Sequence, residues 1–154
     1  MHASRQLCWS WQDFDALGSA RLYAVLRLRV DVFVVEQRCA YPELDGHDHN
    51  ALHLLCEQRG RLLGYLRLLP PGEKHPLPAL GRVVTDREAR GRGLGRALVQ
   101  RGITKSRECH PGHDLYLSAQ AHLADFYAAF GFVRSSAIYD DDGIPHIDMR
   151  LPAA

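Results

Sequence analysis

The chain has no apolar run near the roughly 20 residues that a membrane-spanning helix needs, so a membrane protein is not expected. It is poor in cysteine: Cys8, Cys39, Cys56 and Cys109 are scattered, with no Cys-x-x-Cys pair. That spacing argues against a disulfide framework and reads as free, mostly buried thiols of a reducing compartment. No apolar stretch follows Met1-His2-Ala3-Ser4-Arg5-Gln6, so no secretory leader is expected and a cytoplasmic location is. An excess of either charge is missing too: Lys+Arg 19 oppose Asp+Glu 18, for a formal net charge of +1. This balance speaks against non-specific nucleic-acid binding, which rests on many uncompensated phosphate contacts. Lysine is nearly absent, with Lys74 and Lys105 alone. The other cations are arginines, whose planar fork suits bidentate anion contacts.

What is present is ordinary for a globular chain. At 154 residues one domain, residues 1–154, is expected. The 46% hydrophobic and 24% charged fractions exclude a disordered tail or a collagen-like chain. Leu7, Trp9 and Trp11 alternate as in a short strand. Asp13 or Ser19 can cap a helix in which Leu22, Val25, Leu26, Val30, Phe33 and Val34 keep helical spacing, as one bent helix or two joined ones. Residues 40–50 read as a loop, and Leu52–Glu57 and Leu62–Leu69 as a hairpin around Gln58-Arg59-Gly60. After a Pro-rich loop come a strand over 80–85, a helix from Leu94 to about Cys109, a strand over 115–119 and a short helix over 123–130 ended by Gly131. Two strands, 132–139 and 146–151, flank the turn Asp140-Asp141-Asp142-Gly143. The order predicts an α/β (α+β) fold with a mixed sheet and helices on its faces.

Arg90-Gly91-Arg92-Gly93-Leu94-Gly95 is the most informative segment, because a strand end, a glycine-rich turn and a helix start follow in that order. Unpaired N–H groups and the macrodipole at a helix start favour an anion. Glycines let backbone approach a phosphate, and Arg90 and Arg92 add charge-assisted donors. No Lys follows as a P-loop requires, and the Gly-x-Gly-x-Gly spacing differs from the dinucleotide fingerprint.

The same segment resembles the (Gln/Arg)-x-x-Gly-x-(Gly/Ala) signature of the GNAT superfamily of acyl-CoA-dependent N-acetyltransferases, in its context between Arg82-Val83-Val84-Thr85 and a helix. Phe126-Tyr127-Ala128-Ala129-Phe130-Gly131-Phe132 is similar to that family's late helix and the strand after it. More narrowly, the chain resembles the ElaA group. The matching stretches run from Leu28 to Gln37, Tyr41 to Asp48, Tyr116 to Ala121 and Gly143 to Ile147. The resemblance implies a GNAT fold, a mostly antiparallel sheet splayed between two parallel strands. It implies acetyl-CoA as cosubstrate, its pyrophosphate on the backbone of Arg90, Gly91, Arg92, Gly93, Leu94 and Gly95. Its pantetheine arm would lie along Arg82, Val83 and Val84, where the strand parts from Leu115–Ala119. Arg96, Ser118 and Phe126 join the implied cofactor positions. Such proteins are often dimers, so a homodimer is allowed for.

Acetyl transfer to an amine needs a base for the acceptor's proton, an acid for the departing thiolate and a donor for the oxyanion. Tyr127 matches the family's general-acid tyrosine, and a backbone N–H near Val83 or Val84 suits the oxyanion. Many members carry a Glu before the glycine-rich turn, but Gly81-Arg82-Val83 has no carboxylate. The candidate bases are then Glu36, Asp45, His53 and His146, with a packed core histidine as the other reading of His53. No cysteine occupies a motif position for an acyl-enzyme, so direct transfer in a ternary complex is expected. His47, His49 and His53 lack ligand spacing, and no metal is expected. Glu43, Asp45, Asp48 and Asp140–Asp142 read as two solvated turns, or as acids that meet a cationic amine. Three alternatives stand beside transfer to an unidentified amine. They are a non-catalytic acyl-CoA-binding regulatory module, an acyltransferase like the acyl-homoserine-lactone synthases (from Arg29, Phe33 and Glu36), and an anion-binding domain without cofactor.

Overall fold

Strand β1 (Cys8–Asp13) ends on the residue that caps helix α1 (Phe14–Val30): the Asp13 carboxylate accepts from the Ala16 N–H at 2.8 Å. These positions come from a computed structural model that describes residues 6–154. Residues 1–5, on which the absence of a leader was read, lie outside the described residues. Gly18 interrupts α1 with φ 72°, so the chain makes two joined helical segments. The helix then widens into a π-helical turn over Asp31–Glu36, where Gln37 N–H reaches Val32 O at 3.1 Å and Cys39 N–H reaches Val34 O at 3.0 Å. Such widened turns are frequent at functional sites.

The remaining elements are β2 (Leu52–Gln58), β3 (Arg61–Leu69), β4 (Ala79–Thr85), α2 (Leu94–Cys109), β5 (Leu115–Gln120), α3 (Ala124–Ala128), β6 (Val133–Arg134), β7 (Tyr139–Asp141) and β8 (Ile144–Leu151). They form one sheet in the order β1-β2-β3-β4-β5-β8-β6, with β7 also on β8. Every pairing is antiparallel except β4 with β5. Period-two alternation sets the two faces: Leu54 packs with α2 residues Leu98, Val99 and Ile103, while Leu55 packs with α1 residues Leu17, Val25 and Leu28. The expected mixed sheet with helices on both faces is the observed fold.

Three local expectations are corrected. The strand expected over 132–139 is two short strands, β6 and β7. Ser136 Oγ accepts the Asp148 N–H at 2.9 Å, so a side chain competes with the backbone ladder there. The last strand starts at Ile144, because Asp142 (φ 50°) and Gly143 (φ 83°) make a two-residue turn tighter than the acidic run suggested. The late helix is α-helical only over Ala124–Ala128, with a 3-10 turn before it. Of the four free cysteines, Cys39 and Cys56 are buried but Cys8 and Cys109 are exposed. No described helix is long and apolar enough to cross a membrane.

Candidate active site

The site begins as a defect in the sheet. Tyr65 pairs with Val84 and Arg67 with Gly81, so Arg82 and Val83 together face Leu66 alone. This bulge puts Arg82 in the left-handed region, at φ 53°. On its other side β4 pairs with β5 only at Ala79 and Tyr116, with Tyr116 N–H on Pro78 O at 2.9 Å. Beyond that contact the parallel strands part, which leaves the outer half of β4 with no β5 partner.

Helix α2 starts beside the parted strands. Gly91 (φ 83°) and the N-cap Gly93 (φ 75°) occupy the left-handed region, where a Cβ is strained. The first intrahelical bond is Ala97 N–H to Gly93 O at 3.1 Å, and no side chain caps the end. The N–H groups of Leu94, Gly95 and Arg96 therefore lack helical partners. The first turn has no acidic residue; Arg96 is exposed on it and Arg92 is exposed just before the N-cap. These residues fit a pyrophosphate: free backbone donors, the positive end of a 16-residue helix and flanking guanidiniums. Arg90 differs. Its guanidinium holds the Glu36 carboxylate through two bonds of 2.8 and 3.0 Å, which bridges the π-helical turn to the glycine-rich turn.

Two cavities meet at the parted strands. A groove runs from Arg90 and Gly95 past Val84 and Phe126 to Tyr127. A second cavity of about 130 Å³ lies between β4, β5 and the β7–β8 turn, bounded by Arg82, Ser118, Asp141 and His146. Val83, Leu123 and Tyr127 line both. Tyr127 is 8% exposed, packed edge-on against Phe126 and Phe132, and its hydroxyl bonds to no described residue. Burial pushes its pKa up to about 12, so the phenol stays protonated.

The candidate bases separate. His146 lies in the second cavity, where its Nδ1 is 2.8 Å from Ile144 O. A carbonyl only accepts, so Nδ1 carries the proton, and in the neutral ring Nε2 is the nitrogen with the lone pair. Glu36 lines the groove, not the second cavity, and the hydrogen bond from Arg90 holds its carboxyl below the ordinary range. His53 is 1% exposed and reaches neither cavity. Its Nε2 donates to Asp48 O at 3.0 Å and its Nδ1 accepts from the Tyr65 hydroxyl at 2.5 Å, so both nitrogens are satisfied. Burial lowers its pKa. Its assignment as a base is corrected to that of a packed core histidine. Asp45 is likewise no free base. Burial alone would raise its pKa, but the hydrogen bonds and charge of Arg67 hold it well below the carboxylate range.

The acidic 43–48 segment is not a solvated turn. Glu43 and Asp48 are buried, and with Asp45 they meet three arginines from three elements. Arg29 of α1 bonds Glu43 and Asp48, both at 2.7 Å. Arg67 of β3 bonds Asp45 at 2.8 Å and Asp48 at 3.1 Å. Arg82 of β4 bonds Glu43 at 2.7 Å and Asp45 at 3.2 Å. The Tyr41 hydroxyl donates to the other oxygen of Glu43. The Arg82 side chain is thus engaged by carboxylates, and only its backbone belongs to the bulge. Arginine standing inside otherwise apolar helix and strand patterns was the signal for this cluster, since a buried cation requires a partner.

Comparison with known proteins agrees with this architecture. An acetyltransferase (GNAT) domain model matches residues 25–153. The UPF0039 protein sll0451 of Synechocystis sp. is 44% identical over 150 residues, 96% of this chain and 97% of that protein. Protein ElaA of Escherichia coli is 38% identical over 143 residues, 90% of this chain and 94% of that protein. Its crystal structure superposes with a TM-score of 0.89 at 35% identity, covering 95% of this chain and 99% of that one. The crystal structure of an acyl-CoA N-acyltransferase from Pseudomonas aeruginosa superposes with a TM-score of 0.91 at 43% identity, over 95% of this chain and 99% of that one. The chain belongs to the GNAT acetyltransferase family, among the homologues of ElaA.

Proposed function

We propose that this protein transfers an acetyl group from acetyl-CoA directly to an amine acceptor. The observation that carries the reading is the meeting of the two cavities at Tyr127 and Val83. The groove ends at free helix N–H groups suited to a pyrophosphate, and the second cavity offers room for an acceptor. Acetyl-CoA, when bound, supplies an activated thioester. Leu94, Gly95 and Arg96 N–H groups, with Arg92 and Arg96, hold its phosphates. The unpaired edge of β4 at Val83 and Val84 holds its amide-bearing arm. Tyr127 keeps a proton at the junction, where a leaving thiolate needs one. His146 Nε2 takes the acceptor's proton from the other side. The N–H groups exposed by the bulge stabilise developing negative charge at the carbonyl oxygen.

The Pseudomonas acyl-CoA N-acyltransferase lends support to acyl transfer as the reaction class. Thermal unfolding with and without acetyl-CoA tests the cofactor. Ligand at about 100 times Kd adds about 2.7 kcal/mol, which at this size raises Tm by several degrees. Release of coenzyme A thiol in the presence of an amine panel then tests transfer. A Tm rise without amine-dependent thiol release would replace the enzyme with an acyl-CoA-binding module, and no rise would remove the cofactor.

A further inference from the structure

The second cavity has a direction written into its hydrogen bonds. The Tyr139 hydroxyl donates to the Asp148 carboxylate at 2.6 Å, because an ionised carboxylate only accepts. Ser118 Oγ lies 2.5 Å from that same phenol oxygen, so the serine must be the donor of this bond. Its own lone pairs are left for the cavity, which it lines. Tyr41 follows the same logic: its proton is engaged by Glu43. His146 directs its Nδ1 proton at Ile144 O, so in the neutral ring the lone pair lies on Nε2. Asp141 and Asp142 of the β7–β8 turn line the exposed rim of the cavity. Asp140 does not join them, since it accepts from the Gly143 N–H within the turn. Cys39, which also lines the cavity, donates its thiol to Asp142 O at 3.3 Å and so ties the acidic turn to the segment after the π-helical turn.

Cations near the cavity do not reverse this picture. Among the described residues that line it, Arg82 is the permanent cation, and Glu43 and Asp45 already engage it. Lys74 feels the charge of Asp141 but forms no ion pair with a described residue. Gln37 and Gln120, the amides on the wall, bond each other at 3.2 Å, so beside the acidic turn the wall presents chiefly acceptors and negative charge, while the unpartnered Tyr127 hydroxyl stands at the reacting end.

We propose that the acceptor is a small amine carrying a second protonated amino group, held by Asp141, Asp142 and the lone pairs of Ser118. This rests on the reading of the cavity as the acceptor site. One amine lies at the Tyr127–His146 end, and the second ammonium supplies the donors that the acidic turn lacks. A monoamine leaves both carboxylates unmatched, and an amino acid brings a carboxylate against them.

The test uses diaminobutane, butylamine and aminobutyrate, matched in chain length, on the protein saturated with coenzyme A. Calorimetric Kd values read the class without need of turnover, and kcat/KM values with acetyl-CoA read it again. The diamine is expected to bind at least about tenfold more tightly than butylamine, the size of one charge-assisted hydrogen bond. In a double variant, Asp141→Asn with Asp142→Asn, that ratio falls toward one. Asn tolerates the left-handed conformation at residue 142, and both sites are exposed, so the fold is retained. A ratio near one in the unchanged protein, or a ratio that survives the double substitution, overturns the proposal. A diamine preference in binding with no acetylation of any amine leaves a diamine-binding site at the acidic turn, but overturns its role as acceptor together with the transferase reading.

Discussion

Glu43 Oε2 accepts the Nε–H of Arg29 and the Nε–H of Arg82, each at 2.7 Å, so one buried carboxylate ties helix α1 to the bulge of β4. The Glu43 side chain is 2% exposed and that of Arg29 is wholly buried. Removing such a partner strands buried positive charge, which typically costs about 3–5 kcal/mol. Glu43→Ala is expected to lose that much in urea unfolding, and Glu43→Gln to lose a large part of it. A loss under 1 kcal/mol for Glu43→Ala would show that the cluster holds little of the fold together.

Glu36 and Arg90 form the contrasting pair, because both are partly exposed. Exposed pairs contribute about 0.2–1 kcal/mol, so Glu36→Gln should barely move Tm. Its effect should fall on KM for acetyl-CoA, since Arg90 is released beside the glycine-rich turn, and the acid limb of the pH–rate profile should remain. Loss of that limb in Glu36→Gln would return Glu36 to the role of base.

Tyr127→Phe removes a hydroxyl that has no described hydrogen-bond partner, on a residue otherwise 8% exposed. Stability should stay level or rise slightly, because no hydrogen bond is lost. General acid catalysis is typically worth about 10²–10⁴-fold, so kcat should fall by about that much while KM for acetyl-CoA changes little. An unchanged kcat would remove Tyr127 from proton transfer.

His146→Gln keeps a polar side chain but gives up the basic nitrogen. The acid limb of kcat/KM should disappear, and the rate at neutral pH should fall by about 10²-fold. A retained acid limb would mean that water or another group carries the proton.

Much of the fold was legible because period and punctuation agree. Trp9 and Trp11 alternate, Gln58-Arg59-Gly60 closes a hairpin, and Leu94 follows a glycine-rich turn, so each local signal points the same way. The junction residue Tyr127 and the glycine-rich turn carry motif information, so they were legible as candidates. The β4 bulge was not visible, because Gly81-Arg82-Val83-Val84 reads as an unbroken strand. Its left-handed Arg82 is held by partners 37 and 39 residues away in sequence. The arginine–carboxylate cluster was missed for the same reason. Glu43, Asp45 and Asp48 look solvated until α1, β3 and β4 converge on them.

His53 makes the pH dependence of stability readable. Its pKa lies below its ordinary 6.5 in the folded protein, chiefly through burial, while the unfolded chain returns it to about that value. The unfolded state therefore binds the extra proton first, and stability falls as pH drops below about 6.5 toward the folded value. His110, also lowered by burial, acts with the same sign. Asp48 adds a second window. Its folded pKa is depressed because the hydrogen bond and charge of Arg29 outweigh burial, so its contribution is present above about 3.8 and lost below that. Unfolding free energy in urea, measured between pH 8 and pH 5, should decline for the unchanged protein and decline less for His53→Gln. That variant also loses about 1–3 kcal/mol at pH 8, because the Tyr65 hydroxyl and the Asp48 carbonyl lose their partner. His110 is present in both proteins, so the difference between the two curves reads His53 alone. Parallel curves would show that His53 titrates alike in the folded and unfolded chain, against its enclosure between Tyr65 and Asp48.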